Sequence, residues 1–120
     1  MKMVMSMNNG FVYLAQPYSH PRQSVRDWRV AQGLIVTAKL MAAGLDVFSP
    51  VSHTSQLEKY LPNKLVKNHA FWMKQDIAIL RHASELRVLM LPGWKKSKGV
   101  RKEIRIAKEC LIKISYMELT

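Results

Sequence analysis

Leu86-Arg87-Val88-Leu89-Met90-Leu91-Pro92-Gly93-Trp94-Lys95-Lys96-Ser97-Lys98-Gly99-Val100-Arg101-Lys102-Glu103 is the stretch on which the reading of the fold turns. From Leu86 to Leu91 it is an apolar run broken only by Arg87, and Pro92-Gly93 ends it, which marks a short strand buried in a parallel sheet. A lysine-rich loop follows, and Ser97 predicts the cap of a helix reaching about Glu109. Strand, loop and helix in that order form half of a βαβ unit.

The rest of the chain supplies more of the same. Phe11-Val12-Tyr13-Leu14-Ala15 reads as a first strand that stops at Gln16-Pro17, and a loop runs on through Pro21. Ser24 predicts an N-cap, with Asp27 completing a capping-box-like pattern, and Val25, Trp28, Ala31, Ile35, Ala38 and Ala42 recur at helical spacing up to a Gly44 C-cap. Asp46-Val47-Phe48 predicts a second strand, and residues 49–62, with Pro50, His53 and Pro62, predict a long polar loop. From about Asn63 to Ala83 the pattern is helical, in one or two pieces, with Phe71, Trp72, Ile77 and Leu80 on a nearly all-round apolar surface. Leu111-Ile112-Lys113-Ile114 predicts a last strand. This alternation indicates an α/β fold: an open parallel sheet of about four to five strands with helices on both faces. Ligands of such sheets bind beyond the carboxyl ends of the strands.

A chain of 120 residues with 48% hydrophobic content fits one compact domain, expected over residues 11–120 behind a flexible tail at 1–10. Nineteen basic residues against eight acidic ones give a formal charge of +11, a field that gathers phosphate-bearing partners, nucleotides and nucleic acids alike. Cys110 is the single cysteine, which excludes an internal disulfide framework and a multi-cysteine metal site and suggests a reducing, cytoplasmic setting. The opening residues lack a signal-peptide core and no run is long enough to span a bilayer, so no membrane association is expected. His20, His53, His69 and His82 lack the spacing of a metal site, so no metal is expected, and the two-carboxylate chemistry expected below requires no cofactor.

Two carboxylates stand out. Glu103 comes early in the last helix, four residues after Gly99, and either faces a substrate at the helix mouth or pairs with Arg101 or Lys102 on a solvated face. Asp76 shares an apolar helical stripe with Trp72 and Leu80, where burial demands a partner or a raised pKa; it is either a functional acid or a structural one. Tyr13, Gln16, Tyr18, Ser19, His20 and Arg22 follow or end the first strand, and the last three offer donors for a phosphate ahead of a helix. Ser97, Lys98 and Gly99 form a comparable second set, and ordinary capping would account for either. Arg101, Arg105 and Lys108 form a basic stripe, read as a solvated face; with no groove-reading element evident, nucleic-acid binding is not expected.

Taken in order, residues 12–20, Phe48-Ser49-Pro50, Phe71-Trp72 with Asp76, Leu91-Pro92-Gly93-Trp94 and Ser97 through Glu103 resemble the nucleoside 2-deoxyribosyltransferase-like superfamily. More narrowly they are similar to a small bacterial and phage branch of it, related to the 2'-deoxynucleoside 5'-phosphate N-hydrolases, over about Phe11 to Ile114. The resemblance implies a reduced flavodoxin-like sheet. It implies Glu103 as the nucleophile toward an anomeric carbon, Asp76 as the group that contacts the sugar or assists proton transfer to the base, Tyr13 as the residue positioning the nucleophile, and Ser97 as a phosphate contact. Gln16, Tyr18, Ser19, His20, Arg22 and Gly99 complete the expected substrate site. A homodimer or larger assembly is also implied, because relatives commonly complete their pockets with a neighbouring subunit. The chain departs from the pattern at Arg101-Lys102, where a small and an aromatic residue are usual, and at the Pro-Tyr-Ser-His loop, where the hydrolases carry an arginine-rich turn.

The expected activity is therefore N-glycosidic bond cleavage, or deoxyribosyl transfer, on a nucleoside or nucleoside 5'-phosphate: a hydrolase or transferase of nucleotide metabolism. The alternative is a nucleotide-binding or sensing module without turnover, and a third reading is a small basic nucleic-acid-associated protein.

Overall fold

A computed structural model describes residues 10–119, so the tail expected over residues 1–10 falls, except for Gly10, outside the described residues. The elements are β1 (Val12–Ala15), α1 (Gln23–Ala42), β2 (Val47–Phe48), α2 (Pro50–Thr54), α3 (Asn63–Val66), α4 (His69–Leu80), β3 (Glu85–Leu89), α5 (Lys98–Glu109) and β4 (Lys113–Met117), with single 3-10 turns at Glu58–Tyr60 and Trp94–Lys96. All strand pairings are parallel, in the order β2-β1-β3-β4. This is the expected α/β, flavodoxin-like sheet, with four strands. Chain direction across the sheet reverses between β1 and β3, and the crevice above such a reversal is where doubly wound folds hold their ligands.

Alternation along β1 divides the molecule into two cores. Tyr13 and Ala15 point to the side covered by α4 and α5, where they pack with Leu80, Leu86, Val88, Val100, Ile106 and Ala107. Leu14 points to the opposite side, where it meets Val36 of α1 together with Leu89 and Leu91. Both faces of β1 and β3 are thus covered, which is why these strands read as apolar runs rather than as alternating ones.

Four local expectations are corrected. Helix α1 starts at Gln23 with Arg22 in the N-cap position and no side-chain cap, so Ser24 lies inside the first turn. The side chain of Gln23 bonds both Asp27 and Arg26 there, and Asp27 has no capping role. The stripe of Trp28, Ala31, Ile35, Ala38 and Ala42 faces away from the sheet, which α1 meets instead through Arg29, Gly33 and Val36. Residues 49–62 are not a plain loop: Ser49 caps α2, accepting a bond from the Ser52 amide at 3.2 Å, with Pro50 at the helix start, where its missing N–H costs nothing. Finally β4 begins at Lys113, because Leu111 takes the left-handed conformation (φ 58°) that turns the chain out of α5. Gly44 does end α1 as expected, with a φ of +97°. Among the described residues, no helix is long and apolar enough to cross a membrane.

Candidate functional site

Three side chains from three elements meet on the α4/α5 side of the sheet. Ser97 caps α5, its hydroxyl accepting from the Val100 amide at 3.2 Å, and the helical period then places Val100, Glu103, Ile106 and Ala107 on the buried face. A carboxyl group therefore occupies a core position, and Glu103 is 5% exposed. The same period in α4 buries Met73, Asp76 and Leu80, leaving Asp76 9% exposed. Tyr13 of β1 is fully buried, and its hydroxyl donates to Oε2 of Glu103; the charge of Asp76 is felt by both.

The electrostatics follow from this burial. Loss of hydration pushes the Glu103 carboxyl up to about 8; the charge of Asp76 works in the same direction, and the Tyr13 hydroxyl works against it. Burial pushes Asp76 up to about 6. The Tyr13 hydroxyl is lifted well above the ordinary tyrosine range, first by burial and then by the charges of Glu103 and Asp76, so it stays a donor at any physiological pH. Near neutrality Glu103 therefore keeps its proton while Asp76 is ionised. One ionised and one protonated acid in a water-poor setting is the arrangement that glycosyl chemistry uses. Among the described residues Glu103 has no ion pair: Arg101 is exposed, and Lys102 lies along an outer groove. The surface-pairing alternative for Glu103 is thereby set aside.

Around the acids, Gly99 faces α4, where a Cβ on it would lie 3.7 Å from Met73 Sδ and 3.9 Å from His69 Cε1. The mouth of α5 thus abuts the first turns of α4. An aromatic series leads outward on the other side, with Phe48 centred 6.0 Å from Tyr13 and His53 centred 5.5 Å from Phe48.

The remaining expected substrate residues lie elsewhere. Gln16 is turned to the α1 side, where its amide nitrogen donates to the Arg29 carbonyl at 2.9 Å, and Gly33 makes room for it. A Cβ at Gly33 would sit 2.1 Å from Gln16 Oε1, an impossible approach. Tyr18 donates to Glu58 at 3.0 Å, joining the β1–α1 loop to the 3-10 turn after α2; burial, then this bond, pushes its hydroxyl up to about 12. His20 Nδ1 accepts from the Arg22 amide at 3.0 Å and so shapes the turn into α1, while the Arg22 side chain is exposed. Ser19 is exposed, and Ser97 is occupied as a cap. Tyr13, Asp76 and Glu103 are brought together; Gln16 is not with them, and the bonds of Tyr18, Ser19, His20 and Ser97 are structural.

One organising residue has no counterpart in the sequence reading. Arg29 is 7% exposed, and its guanidinium donates to the carbonyls of Tyr18 (3.4 Å), Ser19 (2.8 Å) and Pro92 (3.0 Å). It ties the loop after β1 to the loop after β3, the two loops that flank the crevice. Its signal was present, a charge between Trp28 and Val30, of the kind that singled out Asp76.

Two surface depressions flank this region without reaching the acids. One, about 490 Å³, runs along α4 and α5 past Lys74, Ile77, Arg81 and Lys102; the other, about 520 Å³, lies over Met90 to Lys96. Tyr13, Asp76 and Glu103 line neither of these two depressions, and all three are buried. Among the described residues no group of three or more His, Cys, Asp and Glu side chains is placed to hold a metal ion.

A family model described as a domain of unknown function, DUF1937, matches residues 10–119, nearly the whole chain. No curated protein matches the chain.

Proposed function

The chain belongs to the DUF1937 family, and we propose that it cleaves the N-glycosidic bond of a nucleoside or nucleoside 5'-phosphate in the manner of the nucleoside 2-deoxyribosyltransferase-like enzymes it resembles. The observation that carries this reading is the convergence of Glu103, Tyr13 and Asp76, three residues far apart in sequence, in one buried cluster at the β1/β3 reversal.

In the proposed reaction a carboxylate oxygen of Glu103 attacks the anomeric carbon. The bond to the base breaks with its electron pair moving onto the base nitrogen, and Asp76 delivers the proton that lets the base leave. Water or a second base then attacks the glycosyl ester, its proton returns to Asp76, and Glu103 is freed. Tyr13 occupies Oε2 of Glu103 with a fixed hydrogen bond, which orients the other oxygen toward the sugar. In the free protein the proton sits on Glu103, so attack requires that it pass first to Asp76, a transfer that the positive charge developing on the sugar favours. The excess of basic residues favours a phosphorylated substrate.

Incubation of the purified protein with deoxynucleosides and their 5'-phosphates, followed by chromatography of free base, tests the reading. Release that disappears in Glu103→Gln, with ligand still bound, supports it. Saturable binding without product would support a binding module instead, and turnover by Glu103→Gln equal to that of the wild type would remove the mechanism.

A further inference from the structure

Folding removes the acids from one basic stretch of the chain and leaves its cations outside. Residues 59–108 carry thirteen lysines and arginines and three acids, Asp76, Glu85 and Glu103. All three acids are buried, two in the cluster described above and Glu85 in β3, where it meets Arg87 at 2.9 Å. Along the chain Asp76 and Glu103 stand among the cations and balance part of their charge, but in the folded protein neither reaches the surface.

The result is a face of one sign. Helix α5 turns Val100, Glu103, Ile106 and Ala107 inward, and the same period turns Lys98, Arg101, Arg105 and Lys108 outward, all exposed. Alongside them runs the depression of about 490 Å³ past α4, lined by Lys74, Arg81, His82 and Lys102 with Ala70, Ile77 and Ala78, and by no acid. Among the described residues the one ion pair made by these lysines and arginines is that of Arg105 with Glu109, at 4.0 Å and exposed, a weak contact. Fixed like charges so gathered repel one another and are stabilised by an anionic partner.

Which anion fits is decided by what the face lacks. None of the exposed large hydrophobic side chains among the described residues is on α4 or α5. A helix lying in a membrane surface presents Trp, Phe or Leu beside its cations, and a protein interface has an apolar or aromatic centre. Single strands are held by aromatic side chains that stack on bases. The aromatics of α4 are engaged within the fold: Phe71 and Trp72 pack edge to face with centroids 5.1 Å apart, and Trp72 Nε1 donates to the Val66 carbonyl at 2.8 Å. Duplex RNA is held partly through its 2'-hydroxyls, and neither α5 nor the lining of the depression has a hydroxyl or amide side chain to bond them. The partner that charge alone recognises over a length is duplex DNA, with one phosphate charge per about 1.7 Å of axis. The outward cations of α5 span about 15 Å and Lys74 to Arg81 about 10 Å, enough to meet several phosphates.

We infer that the outer face of α4 and α5 binds the phosphate backbone of duplex DNA without reading its sequence. The expectation against nucleic acid rested on the lack of an element that reads bases, and backbone contact needs none. The face is on the outward side of the helices that carry Asp76 and Glu103 inward, so it stands or falls separately from the glycosidic chemistry: loss of either leaves the other intact.

Fluorescence anisotropy of labelled DNA duplexes of about 24 base pairs, in two unrelated sequences, tests this at about 50 mM salt and upward. The expected result is binding in about the micromolar range, equal for the two sequences, with log K falling against log salt with a slope of about −3 to −6. Arg101→Glu and, as a second variant, Lys74→Glu are expected to weaken binding about fivefold or more at the lowest salt. Both positions are exposed, so either variant alone suffices if circular dichroism shows the other unfolded. Lys39→Glu makes the same change of charge on α1, across the sheet, and is expected to weaken binding less than about twofold. Duplex DNA left unbound at about 100 µM protein in the lowest salt overturns the inference. So does tighter binding of the single strand, of duplex RNA or of phosphatidylserine vesicles, or an equal loss in Lys39→Glu and Arg101→Glu, which would make the attraction one of net charge alone.

Discussion

The Tyr13 hydroxyl donates to the Glu103 carboxylate across ninety residues of chain, joining the first strand to the last helix. Both groups are buried, and Asp76 adds its charge from a third element. Such a cluster is costly as packing, since hydrophobic residues of similar size would fill the same space without desolvating two acids. Its cost in a core position is what supports the chemical role proposed for it.

Tyr13→Phe removes the donor and leaves Oε2 of Glu103 without its partner. Base release is expected to fall about 10- to 100-fold, because the carboxylate loses its orientation as well as a hydrogen bond. Since the hydroxyl holds the Glu103 pKa down, its loss moves that pKa further up, and the alkaline edge of the activity profile is expected to shift to higher pH. A purely structural tyrosine would change the rate or the stability and leave that edge where it was; steady-state assays across pH make the distinction.

The activity profile of the wild type is expected to be bell-shaped. Turnover needs one proton on the pair, so the rate should fall below about pH 6 as a second proton is taken up, and above about pH 8 as the last one is lost. Rates of base release at fixed ionic strength give both limbs; a profile flat from pH 5 to 9 would separate the reaction from these acids.

Folding stability should carry the same two groups with a definite sign. Both carboxyls bind their protons more tightly folded than unfolded, so their stabilising contribution is complete below the ordinary carboxylate range, near pH 4. It is lost as pH rises through about 6 for Asp76 and about 8 for Glu103. Glu103→Gln removes one of these titrations. Thermal unfolding is expected to show the variant gaining on the wild type as pH rises from 5 to 9, by about 1 kcal/mol or more at the alkaline end. A constant difference across that range would refute the assignment of a raised pKa to Glu103.

Arg29 is expected to be irreplaceable by lysine. Its planar fork reaches carbonyls on two different loops, whereas an ammonium is a compact charge that cannot span both. Arg29→Lys and Arg29→Met should each lose about 2 kcal/mol or more of stability. In both, amide exchange should rise at the loops after β1 and β3 while the strands stay protected. Exchange measured by mass spectrometry checks this; unchanged loops would make Arg29 a packing residue only.

Much of this protein was open to reading along the chain, and the errors have a common origin. Burial on both faces wrote β1 and β3 as apolar runs, Ser97 announced α5, and Asp76 betrayed itself as a charge in an apolar stripe. The same rule failed for α1, because its apolar residues are spread round much of the helix and do not single out one face, and the sheet took the Arg29–Gly33–Val36 side. Gln16 was misplaced for a related reason: a residue at a strand end goes to one face or the other by the parity of the strand, and the helix on that face, through Gly33, had room for it. Arg29 escaped notice since its partners are backbone carbonyls, which have no identity in a sequence.

The order of residues by itself determined the alternation of strands and helices, the parallel sheet that alternation requires, and the presence of two acids in settings where solvent could not easily follow. What only the tertiary structure decided is which groups stand together: that Tyr13 reaches Glu103, that Asp76 raises the proton affinity of Glu103, and that Gln16 and Tyr18 are engaged elsewhere. Periodicity is a local quantity, fixed by the backbone geometry of neighbouring residues, whereas proximity across ninety positions depends on the order in which the strands assemble.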